Sequence, residues 1–325
     1  MAVSVVRMKT HHTITDKLAQ AQRQRSCVFA ANDAEGKALR RRTRGGELVS
    51  PHRGLFIDAQ YWKTLNGADK VKHIVRCLSQ RHPSWVFAGP TAVAIHGFAH
   101  QWSIHSAVYI ASSVNAGHGA KGVHRIFMTD LPAVEIQGIP VTSVARTLVD
   151  CGLMLPFASA LPIFDSAFRN GHEASAVRAI CSVLHRDTAA VERLLTHANP
   201  LSENGGESLA RAVMIEMGFA VPQLQHIFAN PQNAGEWYRV DFAWLFPGGY
   251  TVVAEYDGVA KYVDPAMTGR KTIQTVVHQQ SERERRLYAW GVSRIVRFTF
   301  DDVVRRQPLA DKLAGVGIPR VGGVP

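Results

Sequence analysis

The chain has few cysteines, no long apolar run and no leader-like start, and each lack excludes a class of protein. Its four cysteines are widely scattered without a CxxC pair, so they are expected to be reduced core residues rather than disulfides or zinc ligands: Cys27, Cys77, Cys151 and Cys181. The most apolar stretch, residues 151–164, contains two prolines and is too short to span a bilayer. The opening MAVSVVRMKTHH has no apolar segment before a cleavage site, which argues against a signal peptide. A cytoplasmic protein that does not bind a membrane is expected.

Acidic residues are in short supply relative to basic ones. The 325 residues include 37 lysines and arginines but 26 aspartates and glutamates, a formal net charge of +11. This excess favours a polyanionic partner such as DNA, although many basic proteins bind no polyanion. The hydrophobic content of 46% is ordinary for folded proteins, and the length allows two or three cores. The alternation of helical and strand patterns predicts an α/β (α+β) fold.

A first region, residues 13–62, predicts a winged helix-turn-helix. Three short helices, the second of them CVFAANDA, are expected before a β-ribbon in ELVSPHRGLFID. The third helix ends at Gly45 and Gly46, and it would present a basic cluster to DNA. Residues 1–60 carry 11 basic and 5 acidic side chains, a net +6, which favours DNA contact over a merely solvated helix face. The candidate DNA-binding residues are Arg40, Arg41, Arg42 and Arg44.

A second region, residues 64–197, reads as a mixed α/β connector or partner-binding domain without a catalytic motif. AGPTAVAIHGF predicts a helix, and SAVYIAS, HRIFMTD and VEIQGIPVT predict strands. The polar, glycine-rich HANPLSENGG then predicts a linker, followed by a third region at residues 201–304 and a tail at 305–325.

Acidic residues interrupt two apolar strands of the third region, whose predicted order is helix, strand, strand, strand, helix, strand. Asp241 lies within VDFAW, and Glu255 and Asp257 follow an apolar run two residues apart. Residues two apart on a strand share a face, and pairing across the intervening Pro-Gly-Gly turn would bring Asp241 beside Glu255. Converging carboxylates repel each other and require a cation, for which Mg²⁺ or Mn²⁺ is suited. The pattern therefore predicts a metal site on Asp241, Glu255 and Asp257.

The third region resembles a bacterial domain family related to very-short-patch-repair endonucleases, within the PD-(D/E)XK superfamily. The resemblance lies in GESLAR, RVDFAW, VVAEYDG, RERRL and RIVRFTF, in that order, over about a third of the chain. It implies a restriction-endonuclease-like sheet and metal-dependent cleavage of DNA. Asp241 and Glu255 match the two superfamily acids, while Asp257 stands where the superfamily lysine would be, as it does in the repair-type relatives.

The same resemblance assigns further residues. Glu207 matches the acid of the first helix, and Lys261 is a candidate to activate water or bind phosphate. Arg283 and Glu284 match a helical Arg–Glu pair that braces the site or touches the DNA backbone.

The amino-terminal two-thirds are similar, less specifically, to antitoxin-like proteins of abortive-infection systems, which join a winged helix to an α/β domain. ELVSPHRGLFID and GIPVTSVARTLVD carry this similarity. It implies a transcriptional regulator whose nuclease fold is inactive, or a chain whose central domain binds a toxin-like protein, as alternatives to a nuclease.

Simpler interpretations exist for the individual residues. Asp257-Gly258 is also a hairpin-turn signature, and Glu207 would suit the start of a helix or an i,i+4 pair with Arg211. Lys261 could be an ordinary surface residue, and the arginines of RERRL a solvated helix face. The combined order and spacing of the acids favour the metal site.

Overall fold

The computed structural model describes residues 2–114, 122–130, 133–258 and 273–321, with the backbone alone for 2–12 and 273–277. It is a mixed α and β protein, as the sequence predicts. The chain divides into two compact units, the first formed by residues 1–155 with 173–191 and the second by 156–172 with 192–325. In the described residues, no helix combines the length and apolar character that a membrane crossing requires.

The first unit opens with a long helix and a small antiparallel sheet of order β1-β3-β2. Its elements are α1 Ala2–Arg23, β1 Val28–Phe29, α2 Asp33–Arg44, β2 Leu48–Val49, β3 Leu55–Asp58 and α3 Ala59–Thr64. The predicted β-ribbon is present as β2 and β3. The predicted second helix, CVFAANDA, is wrong: Val28 and Phe29 pair with β3, and the Asn32 side chain accepts a hydrogen bond from Glu35 N at 2.9 Å to begin α2. Two helices rather than three therefore precede the ribbon.

The chain continues with α4 Gly67–Arg81, α5 Gly89–His96, β4 Val108–Ser112, β5 Val123–Phe127, β6 Ala133–Ile136, β7 Ile139–Thr142 and α6 Val144–Met154. The predicted strands are confirmed: β4 and β5 are parallel, and β6 and β7 form an antiparallel hairpin. One apolar cluster contains Leu55 and Ile57 of β3 together with Val75, Phe87 and Val141. Because they share this core, the predicted winged-helix and connector regions belong to one unit rather than two. The four cysteines are free and buried, as predicted.

Three helices follow, α7 Phe157–Arg169, α8 Ala174–Val183 and α9 Ala189–His197. The division between the units assigns α7 to the second unit and α8 to the first, and it falls within α9. The predicted connector boundary at residue 197 therefore differs from the observed one. The stretch predicted as a linker is also packed: Ser202 is fully buried, and Asn199 N donates to Asp165 Oδ1 at 2.8 Å.

The second unit contains a four-stranded mixed sheet of order β11-β10-β9-β8. Its elements are α10 Gly205–Glu216, β8 Gln223–Asn230, β9 Asn233–Leu245, β10 Thr251–Asp257, α11 Ile273–Ala289, β11 Arg294–Thr299, α12 Phe300–Arg305 and α13 Gln307–Gly315. Neighbours β8, β9 and β10 are antiparallel, whereas β10 and β11 are parallel. The predicted order from α10 to β11 is confirmed. Residues 305–325 are not a mere tail, because Leu309 and Leu313 of α13 are fully buried.

The helices α10 and α11 cover opposite faces of this sheet. The ring of Tyr256 on β10 lies against α10, where a Cβ atom at Gly206 would approach it to 2.4 Å. On the other face, Leu287 of α11 packs with Val253 and Ala243. Because side chains alternate along β10, Tyr256 and its neighbours Glu255 and Asp257 face different helices.

Candidate functional site

Glu207 lies in the first turn of α10 and is 4% exposed. Its carboxylate accepts hydrogen bonds from Glu203 N at 2.8 Å, from the Asn204 side chain, and from Gln225 Nε2 at 3.2 Å. Burial raises its pKa to about 7, and the nearby charge of Asp241 acts in the same direction. At neutral pH Glu207 therefore exchanges between its neutral and ionised forms.

Asp241 occupies the point where the pairing of β9 and β10 ends. The last paired residues are Phe242 and Ala254, and Asp241 Oδ2 then accepts a hydrogen bond from Tyr256 N at 2.9 Å. A side chain thus replaces the backbone as the partner of that amide. On its other side β9 pairs with β8, with Phe242 opposite Leu224 and Val240 opposite His226. Asp241 therefore lies opposite Gln225. Gln225 adopts a φ of +52°, in the left-handed region that residues other than glycine rarely occupy.

The charge of Asp241 therefore acts on the buried carboxylate of Glu207, next to the end of the β9–β10 pairing. None of the described lysines and arginines forms an ion pair with either of them. Burial and the charge of Glu207 both raise the pKa of the Tyr256 phenol as well. Within the described residues, the hydrogen-bond donors to these two carboxylates are backbone and side-chain amides.

Glu255 lies on the face covered by α11. It is 6% exposed, and Arg283 Nη2 of α11 donates to its Oε1 at 2.7 Å. The same Arg283 nitrogen donates to Arg239 O at 2.6 Å, and its guanidinium lies over the Tyr238 ring. Arg283, predicted to brace the site or contact DNA, thus holds Glu255.

Asp257 shares the α11 face with Glu255, as residues two apart on a strand should. Arg297 of β11, the strand partner of Glu255, lies 3.7 Å from Asp257 Oδ2 through its Nη1. Arg297 Nε also donates to Glu284 Oε1 at 3.1 Å. In the predicted Arg283–Glu284 pair of α11, Arg283 therefore binds Glu255 directly, and Glu284 binds the arginine that lies beside Asp257. Arg297 was not among the predicted site residues, although its position in RIVRFTF is compatible with pairing beside an acidic strand.

The predicted neighbourhood of β9 and β10 is confirmed, and the last pair of their register, Phe242 with Ala254, sets Asp241 next to Glu255. The charge of Asp241 also acts on Glu207, while Glu255 and Asp257 each lie against an arginine. Among the described residues, no set of three or more His, Cys, Asp or Glu side chains is arranged to hold a metal ion. The physical reason is that the long Arg283 and Arg297 side chains already supply positive charge on the α11 face. Lys261, the predicted water-activating residue, lies outside the described residues.

The basic cluster of the first unit is divided between surface and core. The described part of α2 presents Arg40, Arg41 and Arg44 to solvent. Arg42 is 7% exposed, lies 3.4 Å from Glu47 Oε1, and donates to Thr15 Oγ1 at 3.3 Å. Arg42 points into the core of the unit, whereas Arg40, Arg41 and Arg44 face solvent. Its position therefore does not support the prediction that it binds DNA.

No family model matches the chain. Two proteins from two strains of Mycobacterium tuberculosis, each described as uncharacterized, are 31% identical to it over 185 residues. The match covers 55% of this chain and 62% of each relative, so the chain spans less than two thirds of the length of the relatives it matches.

Proposed function

We propose that the chain is a cytoplasmic DNA-binding protein whose second unit is a PD-(D/E)XK-type, Mg²⁺-dependent endonuclease. The observation that carries this proposal is the position of Asp241, which ends the pairing of β9 with β10 next to Glu255 and bonds Tyr256 N, while its charge acts on the buried Glu207. The order of helices and strands from α10 to β11 supports the same class of enzyme. Fold order alone does not imply turnover, so the argument depends on the carboxylates.

The Glu207–Asp241 pair fits a Mg²⁺ or Mn²⁺ ion. Like charges near each other favour a cation between them, and burial, with the charge of Asp241 added to it, raises the pKa of Glu207. Magnesium in phosphoryl-transfer sites is commonly held by one or two carboxylates together with water and substrate phosphate. When bound, such an ion supplies a water of lowered pKa and offsets charge on the phosphate.

The remaining residues of the site orient these groups and receive the substrate. Asn204 and Gln225 fix the carboxylate of Glu207, and Tyr256 N fixes that of Asp241. Glu255 holds Arg283, whose side chain is 30% exposed and can donate to a phosphate oxygen. Glu255 thus contributes as a positioning residue for Arg283.

Cleavage of supercoiled plasmid in the presence of Mg²⁺ tests the proposal. We expect nicking by the wild-type chain and its loss in Asp241→Asn and Glu207→Gln. Asp311→Asn is the matched control, because Asp311 is exposed on α13 and bonds Gln307 of the same helix. Equal nicking by Asp241→Asn and wild type would refute the assignment.

The proposal also assigns DNA contact to the exposed side of α2. Replacement of Arg40, Arg41 and Arg44 by alanine should weaken binding by about tenfold or more, similarly for all sequences, and flatten its salt dependence. Arg23→Ala, at the exposed end of α1, is the control. Unchanged affinity and salt dependence in the triple variant would remove α2 from the DNA-binding surface.

The second candidate is a DNA-binding regulator whose nuclease fold does not cut. The observation that favours it is the neutralisation of Glu255 and Asp257 by Arg283 and Arg297. This alternative expects sequence-specific gel shifts that need the α2 arginines, are unaffected by Asp241→Asn, and occur without any Mg²⁺-dependent nicking.

A further inference from the structure

A second set of charged side chains lines a cavity of about 490 Å³ within the first unit. The cavity is lined by residues of β5, of α6 and of the segment that follows α8. Its size lies within the range of about 300–1,000 Å³ that is typical of small-molecule sites. Neither the proposed nuclease site nor the α2 arginines involve these residues.

Asp150 of α6 is the buried polar group of this cavity, with 3% exposure. Its Oδ1 accepts a hydrogen bond from Arg146 Nε at 2.9 Å. Its Oδ2 is buried and has no hydrogen-bond partner among the described residues. Buried carboxylate oxygens in native proteins nearly always accept a hydrogen bond, so this oxygen is placed to accept one from a ligand.

The positive charge of the cavity exceeds the negative charge of Asp150. Arg125, Arg146 and Arg186 all line it. Arg146 is engaged with Asp150, whereas Arg125 and Arg186 are exposed and form no ion pair within the part of the chain that the structure describes. Guanidinium groups match the geometry of phosphate oxygens and bind them through paired hydrogen bonds.

An apolar surface completes the cavity. Phe127 is 51% exposed and Met154 is 43% exposed, and both line it together with Ile126 and Leu153. Large apolar side chains are usually covered, and an aromatic ring beside a flexible thioether suits contact with a planar base. The cavity therefore combines cations, one acceptor and an apolar wall.

We propose that this cavity binds a nucleoside 5′-phosphate. Arg125 and Arg186 bind the phosphate, the base lies against Phe127 and Met154, and Asp150 Oδ2 accepts a hydrogen bond from a ligand hydroxyl or amine. A free nucleotide and the 5′-phosphorylated end of a nucleic acid strand both offer this chemistry.

Calorimetric titration of the full-length chain tests the proposal with four probes: adenosine 5′-monophosphate, guanosine 5′-monophosphate, a 5′-phosphorylated dinucleotide and inorganic phosphate. We expect saturable binding of at least one nucleotide probe, tighter than that of inorganic phosphate. Arg125→Ala and Arg186→Ala should each weaken it by about tenfold, the usual effect of losing one charge-assisted contact. Arg178→Ala, an exposed arginine on α8 outside the cavity lining, should bind as the wild type does.

The relative affinities identify the source of the ligand. Tighter binding of a mononucleotide supports a free nucleotide, and tighter binding of the dinucleotide supports a strand end. No binding of any nucleotide probe, equal binding of inorganic phosphate, or full affinity in both arginine variants would overturn the proposal.

A variant of Asp150 provides a second readout. Asp150→Asn should reduce the preference for nucleotide over inorganic phosphate, with circular dichroism and the melting temperature showing that the fold persists. An unchanged preference in a folded variant would contradict the role of Oδ2. If this variant does not fold, the two exposed arginine variants still decide the proposal.

Discussion

Two buried charged side chains, Glu207 and Arg211, lie one turn apart on α10 and have different kinds of partner. Arg211 Nη2 donates to both oxygens of Asp165 at 2.8 and 2.7 Å, and the side chains of the pair are 3% and 0% exposed. Glu207 instead meets amide donors and a second carboxylate, Asp241. The first arrangement is a complete ion pair that joins α7 to α10. In the second, no cation among the described residues pairs with Glu207, and burial raises its pKa.

The largest expected effect comes from breaking the complete pair. Asp165→Ala leaves the Arg211 guanidinium buried without its counter-charge and should lower the free energy of unfolding by about 3–5 kcal/mol. Chemical denaturation measures this loss. The double variant Asp165→Leu with Arg211→Met should recover most of it, because apolar side chains of similar size need no counter-charge. A single variant as stable as the wild type would contradict the structural role of the pair.

The incomplete pair should control metal affinity. Asp241→Asn is expected to weaken Mn²⁺ binding by about tenfold or more, since it removes one of two carboxylates from the site. Glu255→Gln should change the affinity by no more than about twofold, because Glu255 already pairs with Arg283. Calorimetric titration of the full chain compares the two variants. A larger loss in Glu255→Gln would place the metal at Glu255, one of the three ligands that the sequence predicts.

The pH dependence of Mn²⁺ binding should show whether Glu207 holds the metal. A proton and a cation compete for Glu207, so affinity should fall as pH falls through about 7, the raised pKa of that residue. One pH unit below that value, the ionised fraction of Glu207, and hence the Mn²⁺ affinity, is about tenfold lower than at high pH, where Glu207 is fully ionised. Glu207→Gln should abolish this step. A step of unchanged size in the variant would show that another group titrates.

The last expectation concerns stability without metal. The pKa of Glu207 is higher in the folded chain, at about 7, than the ordinary value of 4.5, so the folded state binds the extra proton between these values. This contribution to stability is present below about pH 4.5 and is lost as pH rises through about 7. Compared with Glu207→Gln, the wild type should therefore lose about 2–3 kcal/mol between pH 5 and pH 8. Parallel melting curves of the two proteins would contradict this expectation.

Local patterns were sufficient to predict much of the second unit. The apolar runs and the Pro-Gly-Gly turn predicted that β9 and β10 are neighbours, and spacing by two placed Glu255 and Asp257 on one face. The partners of these acids were not predictable from local pattern. Arg283 and Arg297 reach them from α11 and β11, and which long side chain meets which acid depends on packing between distant segments. Similarly, Asn32 begins α2 after a two-residue strand, a tertiary pairing that overrode the helical reading of CVFAANDA.

The Tyr256 amide, which bonds a carboxylate instead of a strand, has a consequence for observing this molecule. A cation that draws the Asp241 oxygen toward itself would release that N–H, while the flanking amides stay within the sheet. The proton of this one amide would then exchange faster with solvent. Its chemical shift in a nuclear magnetic resonance spectrum would also change more than the shifts of the neighbouring amides. Residue 256 is therefore a natural reporter of occupancy, readable without a substrate and without attaching any label to the site.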